Sequence, residues 1–260
     1  MKPMPSLLHL LVAMLAAFFA GAINSVAGGG TLVTFPVLLA LGLPSITANA
    51  TSTVAIWPGT IGSMWGFRRE IGASPPRDRW LIIPAMAGGL IGALLLRCTP
   101  GALFDRLVPF LILFATVLFA VQSPIQKRLQ SAHHSGVSGS TAWTACVWLA
   151  QFGVGIYGGY FGAGMSIMLL TVLSLMGLED ILTMSALTSL FSFGVNGVAS
   201  GLFSLAHMVV WPYVFAMMAA ALFGGYAAAG VARRLGRVIV RRFVIAVGFT
   251  IATILFVRMF

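Results

Sequence analysis

From Pro3 to Phe67 the chain carries no Asp, Glu, Lys or Arg, and its few polar positions are scattered among apolar ones. At about 1.5 Å per helical residue, such a stretch allows roughly three crossings of a ~30 Å hydrocarbon layer. Uncharged runs return at 129–178 and 181–232. The pattern resolves into ten hydrophobic segments, at 6–27, 31–43, 46–66, 80–97, 103–121, 141–159, 164–177, 181–203, 208–230 and 238–258. Segments two and seven are too short for an upright span and read as half-helices. The prediction is an all-α polytopic membrane protein, with helix kinks at Pro58 and Pro84.

Composition agrees: charged residues make up 8% of the chain, against about 25% in soluble domains. The net charge of +10 could suggest nucleic acid, but no aromatic-rich polar segment accompanies it, so no nucleic-acid partner is expected. If all ten segments cross, Arg68, Arg69, Arg77, Arg79, Lys127, Arg128, Arg233, Arg234, Arg237, Arg241 and Arg242 share one side, against Lys2, Arg97, Arg106 and Arg258 on the other. If segments two and seven re-enter instead, the bias disappears. The positive-inside rule selects ten crossings, with both termini extracytoplasmic and loops 68–79, 122–140 and 233–242 cytoplasmic. Cys98 and Cys146 are isolated in or beside apolar runs and read as buried, inert thiols.

The two halves echo each other. Gly21, Gly28 and Gly30 align with Gly155, Gly162 and Gly164 at one constant offset. Leu41-Gly-Leu43 is matched by Met176-Gly-Leu178, and Thr51-Ser-Thr53 by Thr188-Ser189. Each half then brings a tryptophan, Trp80 or Trp211, and a glycine pair, Gly88-Gly89 or Gly224-Gly225. The division is a first repeat at 1–121, a polar linker at 122–140 and a second repeat at 141–260. Five segments per half would turn the second copy over, giving two five-segment inverted repeats with a substrate site at their interface.

The chemistry on offer is neutral. Gly28-Gly-Gly30 breaks the helix and exposes backbone N–H groups, and the following half-helix adds a positive dipole end. This combination suits a small anion without any basic side chain. Asn24, Ser25, Gly28, Gly29, Gly30 and Thr31 are the candidate binding residues there, with Thr34 near them. Gly162, Gly164 and Ser166 form the counterpart. Thr51, Ser52, Thr53, Thr188, Ser189 and Asn196 are candidates for lining the path, the alternative being bonds within and between helices. A Gly29→Val change is expected to block anion approach with expression nearly intact. Every carboxylate falls near a segment end, which argues against an intramembrane carboxylate relay. Gly136-Val-Ser-Gly139 matches a short string of intramembrane serine proteases but lies in the polar linker, so a hydrolase has little support. A structural membrane subunit is the other alternative.

The glycine block, the short segment closing in Leu-Gly-Leu, the Ala50-Thr-Ser-Thr53 block and the arginine-bearing loop together resemble the sulfite exporter TauE/SafE family. The echo at 155–201 is similar to that family's second copy, although Ala163 and Ala186-Leu-Thr-Ser189 depart from the fuller pattern. The resemblance implies a multi-pass inner-membrane secondary transporter and no enzyme. Its implied cargo is a small anion such as sulfite or an organosulfonate. The expected partners are that anion, the lipid bilayer and a coupling proton, which the substrate itself could carry. No cofactor or metal is expected.

Overall fold

Apolar runs of this length fold as helices because lipid offers backbone groups no partner outside the segment. The computed structural model describes residues 6–26, 29–131, 141–178, 180–235 and 237–259. It describes side chains at 6–24, 29–121, 143–178, 180–225 and 245–257. The described residues are helical with short connections. The elements are α1 (Leu7–Val26), α2 (Thr31–Ala40), α3 (Ser45–Gly66), α4 (Arg68–Ala73), α5 (Pro76–Arg79), α6 (Ile82–Cys98), α7 (Gly101–Ser131), α8 (Thr141–Tyr160), α9 (Met165–Leu175), α10 (Ile181–Leu205), α11 (Trp211–Leu235) and α12 (Arg237–Met259).

Ten of these fall on the ten hydrophobic segments. The small helices α4 and α5 occupy the arginine loop, and α7 continues to Ser131, into the stretch read as a polar linker. Among the described residues, four helices are long and apolar enough to cross a bilayer by themselves: Leu7–Asn24, Pro76–Cys98, Gly101–Val121 and Ile181–Leu205. Leu8, Leu15, Phe19, Leu149, Phe215 and Phe223 stand exposed on the outside of the bundle, where a soluble protein would be polar. Pro84 sits in the first turn of α6, where its missing N–H costs nothing, so no kink is needed. Cys98 and Cys146 are exposed rather than buried, which corrects the sequence reading.

The short helices have ten and eleven residues, each about half a hydrocarbon core in length. Both stop in the same way. Gly42 and Gly177 adopt φ of 85° and 86°, left-handed values that favour glycine. Their N–H groups return to Leu39 and Ser174, while those of Leu43 and Leu178 return to Leu38 and Leu173. The repeated Leu-Gly-Leu and Met-Gly-Leu strings are therefore helix stops.

The main packing pairs recur when the halves are exchanged. Helix α1 packs on α11, and α8 on α6; α10 packs on α6, and α3 on α11. Likewise α2 meets α12 while α9 meets α7, and the pairs α3–α10 and α7–α12 map onto themselves. Glycines close the two main seams. A Cβ on Gly224 would strike the Phe18 carbonyl, and one on Gly88 the Phe152 carbonyl. A Cβ on Gly21 would strike Ala221, and one on Gly155 would strike Ala85. Small residues let the backbones touch in membranes, where dispersion drives helix association.

Candidate functional site

Each half breaks its chain between a long helix and a half-helix, and the two breaks differ. At the first, Gly29 has φ +109°. Its N–H donates to Asn24 Oδ1 at 2.9 Å, and the Gly30 N–H donates to the same oxygen at 2.7 Å. Backbone donors at a break need acceptors, and Asn24 supplies one from the last turns of α1. Two of the groups assigned from sequence to an anion are therefore held by a side chain. The Thr34 hydroxyl lies 3.2 Å from the Gly30 carbonyl and 2.5 Å from Ser52 Oγ, tying α2 to α3. A Cβ on Gly29 would land on the Phe119 ring. Thr31 is buried beside the loop. Gly28 and the Ser25 side chain lie outside the described residues.

The second break spans Phe161–Gly164. Gly162 and Gly164 have φ of 80° and 79°. The Tyr157 hydroxyl donates to the Ala163 carbonyl at 2.6 Å. Here a side chain satisfies a carbonyl, whereas Asn24 satisfies N–H groups. Among the described residues, the Ala163 and Gly164 N–H groups have no acceptor. Two carboxamides flank this break. Asn49 Nδ2 donates to the Tyr160 carbonyl at 3.0 Å, and Asn49 Oδ1 is buried without a partner. Asn196 sits beside Gly162, whose added Cβ would lie 3.9 Å from Asn196 Oδ1. Ser166, in the first turn of α9, is half-buried.

The hydroxyl blocks diverge too. Thr51 accepts the Val210 N–H at 3.1 Å, Ser52 pairs with Thr34, and Thr53 donates to the Asn49 carbonyl at 2.9 Å. On α10, Ser189 bonds back to the Ser185 carbonyl at 2.9 Å. Thr188, Ser192 and Ser200 are buried with unpartnered hydroxyls. With Asn196 they recur every four residues, a polar ladder winding slowly about α10. Sequence reading found Thr188 and Asn196 but missed Ser192 and Ser200, which that spacing could have revealed. It also missed Asn49 and the buried Gln151 of α8, both amides inside uncharged segments.

Two cavities among the described residues lie at helix ends. One of about 160 Å³ is lined by Arg77, Asp78, Trp143 and Leu178, and one of about 350 Å³ by Ser45, Asp105, Arg106 and Leu255. The described carboxylates sit at helix ends or in loops. Asp180 caps α10, where the Thr183 hydroxyl and N–H and the Leu182 N–H hold its carboxyl below the usual range. Glu179 and the Gly136–Gly139 string lie outside the described residues.

The arrangement offers neutral hydrogen-bonding groups inside an apolar bundle. Comparison with known proteins agrees. The family profile described as "Sulfite exporter TauE/SafE" matches residues 13–255. A probable membrane transporter protein of Haemophilus influenzae is 28% identical over 92% of this chain and 91% of its own length. Probable membrane transporter protein ORF9 of a Sinorhizobium species is 30% identical over 78% and 76%. Probable membrane transporter protein YfcA of Escherichia coli K12 is 26% identical over 94% and 88%. No solved structure matches the chain significantly.

Proposed function

The chain belongs to the sulfite exporter TauE/SafE family and is a multi-pass membrane transporter, and we propose that it is a secondary carrier of a small anion such as sulfite or an organosulfonate. The observation that carries the proposal is the second break. Unpartnered N–H groups of Ala163 and Gly164 lie in this break, which Asn49 reaches at the Tyr160 carbonyl and Asn196 at Gly162. Backbone N–H groups at a half-helix start bind oxyanions without a fixed positive charge, so the anion can also leave. Gly162, Gly164, Ser166, Thr188 and Asn196 are the primary contacts. Gly29, Gly30, Thr51, Ser52 and Thr53 shape the path through the bonds they already make.

The recurrence of the main packing pairs supports an inverted-repeat reading, with the anion bound between the halves and the site opening alternately to either face. The distribution of basic residues supports an inner-membrane setting with outward termini. Flux of labelled sulfite in proteoliposomes tests the proposal. The reconstituted protein is expected to carry sulfite above empty vesicles, and Asn196→Leu to remove most of that flux. Full flux in a folded Asn196→Leu protein would place the path elsewhere.

A further inference from the structure

We propose that Gln151, with Thr188 and Ser192, forms a binding element that accepts an oxyanion only while the anion carries a proton. The inference deepens the carrier reading above and rests on it. Gln151 is fully buried on α8, and neither its Nε2 nor its Oε1 has a partner. Val147 and Val154, one turn to either side, belong to the same apolar cluster as Met184, Leu187, Phe191 and Val195 of α10. Thr188 and Ser192 lie along that stretch of α10 with buried, unpartnered hydroxyls. A core that leaves an amide and two hydroxyls unsatisfied is poised for a ligand or water that satisfies them.

The groups present specify that ligand's chemistry. A carboxamide shows one donor and one acceptor whichever way it is turned. A fully deprotonated oxyanion has acceptors only. It would satisfy Gln151 Nε2 and the hydroxyls but turn a lone pair on Gln151 Oε1. One proton on the anion supplies the missing donor and removes a charge that is costly to desolvate. Among the described residues no buried side chain carries a charge to offset a dianion.

Titratable groups on the helices packed around Gln151 are few. Helix α6 carries Arg97 and Cys98 at its far end, α8 carries Cys146, Tyr157 and Tyr160, α9 carries none, and α10 has only its Asp180 cap. None is a core carboxylate or imidazole. The proton therefore enters and leaves on the substrate, one per singly charged anion, with no covalent step.

The test uses the full chain in proteoliposomes, with labelled sulfite as probe and methanesulfonate, an acceptor-only anion, as competitor. At fixed subsaturating total sulfite, uptake is expected to fall roughly tenfold from about pH 6 to about pH 8, following hydrogen sulfite, with no competition from methanesulfonate. Gln151→Met should raise the Tm of the unliganded protein and abolish the Tm shift that sulfite produces at the lower pH. Sulfite uptake that is flat with pH, effective competition by methanesulfonate, or a Gln151→Met protein with lowered Tm and an intact sulfite shift each overturns the proposal and leaves the carrier standing. No sulfite flux or shift at either pH, from folded protein, rejects the carrier reading for this anion and the proposal with it.

Discussion

Helix α3 and helix α10 make equivalent packing pairs in the two halves, yet apart from Ser189, which bonds back to Ser185 as Thr53 does to Asn49, their buried hydroxyls are treated differently. On α3, Thr51, Ser52 and Thr53 all hold protein partners. On α10, Thr188, Ser192 and Ser200 hold none. The breaks beside them differ in the same sense, since Asn24 closes the first and the N–H groups of the second stay open. Helices with matching packing thus differ in whether their polar groups are satisfied. Matching positions in two similar stretches of sequence share a location without sharing hydrogen-bond partners.

The largest effect is a choice of face. If the halves are inverted, cysteines at Gly72 and Leu205, both exposed, should be labelled from opposite sides of the membrane after Cys98 and Cys146 are removed. Labelling from one side breaks the comparison at its root. Next come the seams. Gly88→Ile and Gly224→Ile each drive a side chain into a carbonyl of the opposing helix. Each should cost at least the upper end of the ~1–3 kcal/mol overpacking range, read as lost folded yield and lowered Tm. Equal losses are expected; a tolerant seam would show that only one half is scaffold.

Gly29→Val belongs with these seam changes. With φ at +109° and Phe119 over the site, it should destabilise the protein, contrary to the sequence expectation of near-intact expression. The helix pair supplies a finer test. Thr51→Val strands the Val210 N–H and should cost about 1–3 kcal/mol of stability. Thr188→Val removes a hydroxyl with no partner, so stability should hold or rise while sulfite flux falls. If both variants lose stability alike, Thr188 is structural. The smallest effect is electrostatic. Because the folded-state pKa of Asp180 is lowered, its capping contribution is present above the ordinary carboxylate range and lost as pH falls through that lowered value. Asp180→Asn should flatten this acid limb in a pH series of Tm values, with little change near neutrality.

The fold was readable because lipid imposes one rule on every segment, so apolar length alone marked ten helices and the two short ones among them. Gly42 and Gly177 were readable as punctuation, since a Leu-Gly-Leu stop acts through its own neighbours. The site was half readable. Glycine spacing located both breaks, but nothing local shows that Asn24 reaches Gly29 and Gly30, or that Thr51 serves Val210 in another half of the chain. Cys98 and Cys146 were misplaced because apolar surroundings in a membrane protein can be outside as easily as inside. Gln151 escaped notice for the opposite reason: a single amide in an uncharged run gives no periodic signal.

The seam between α1 and α11 has a bearing on how the protein is made. Helix α1 ends at Val26, and its main partner begins only at Trp211. At roughly 5–20 residues per second, the interval between their synthesis is on the order of 10–40 s. Through that wait the first span sits in the bilayer with Phe18 and Gly21, which meet Gly224 and Ala221 of α11, open to lipid tails or to a membrane insertase. A nascent chain halted before α11 therefore presents an unpaired surface that other helices, from this chain or a neighbour, can occupy wrongly.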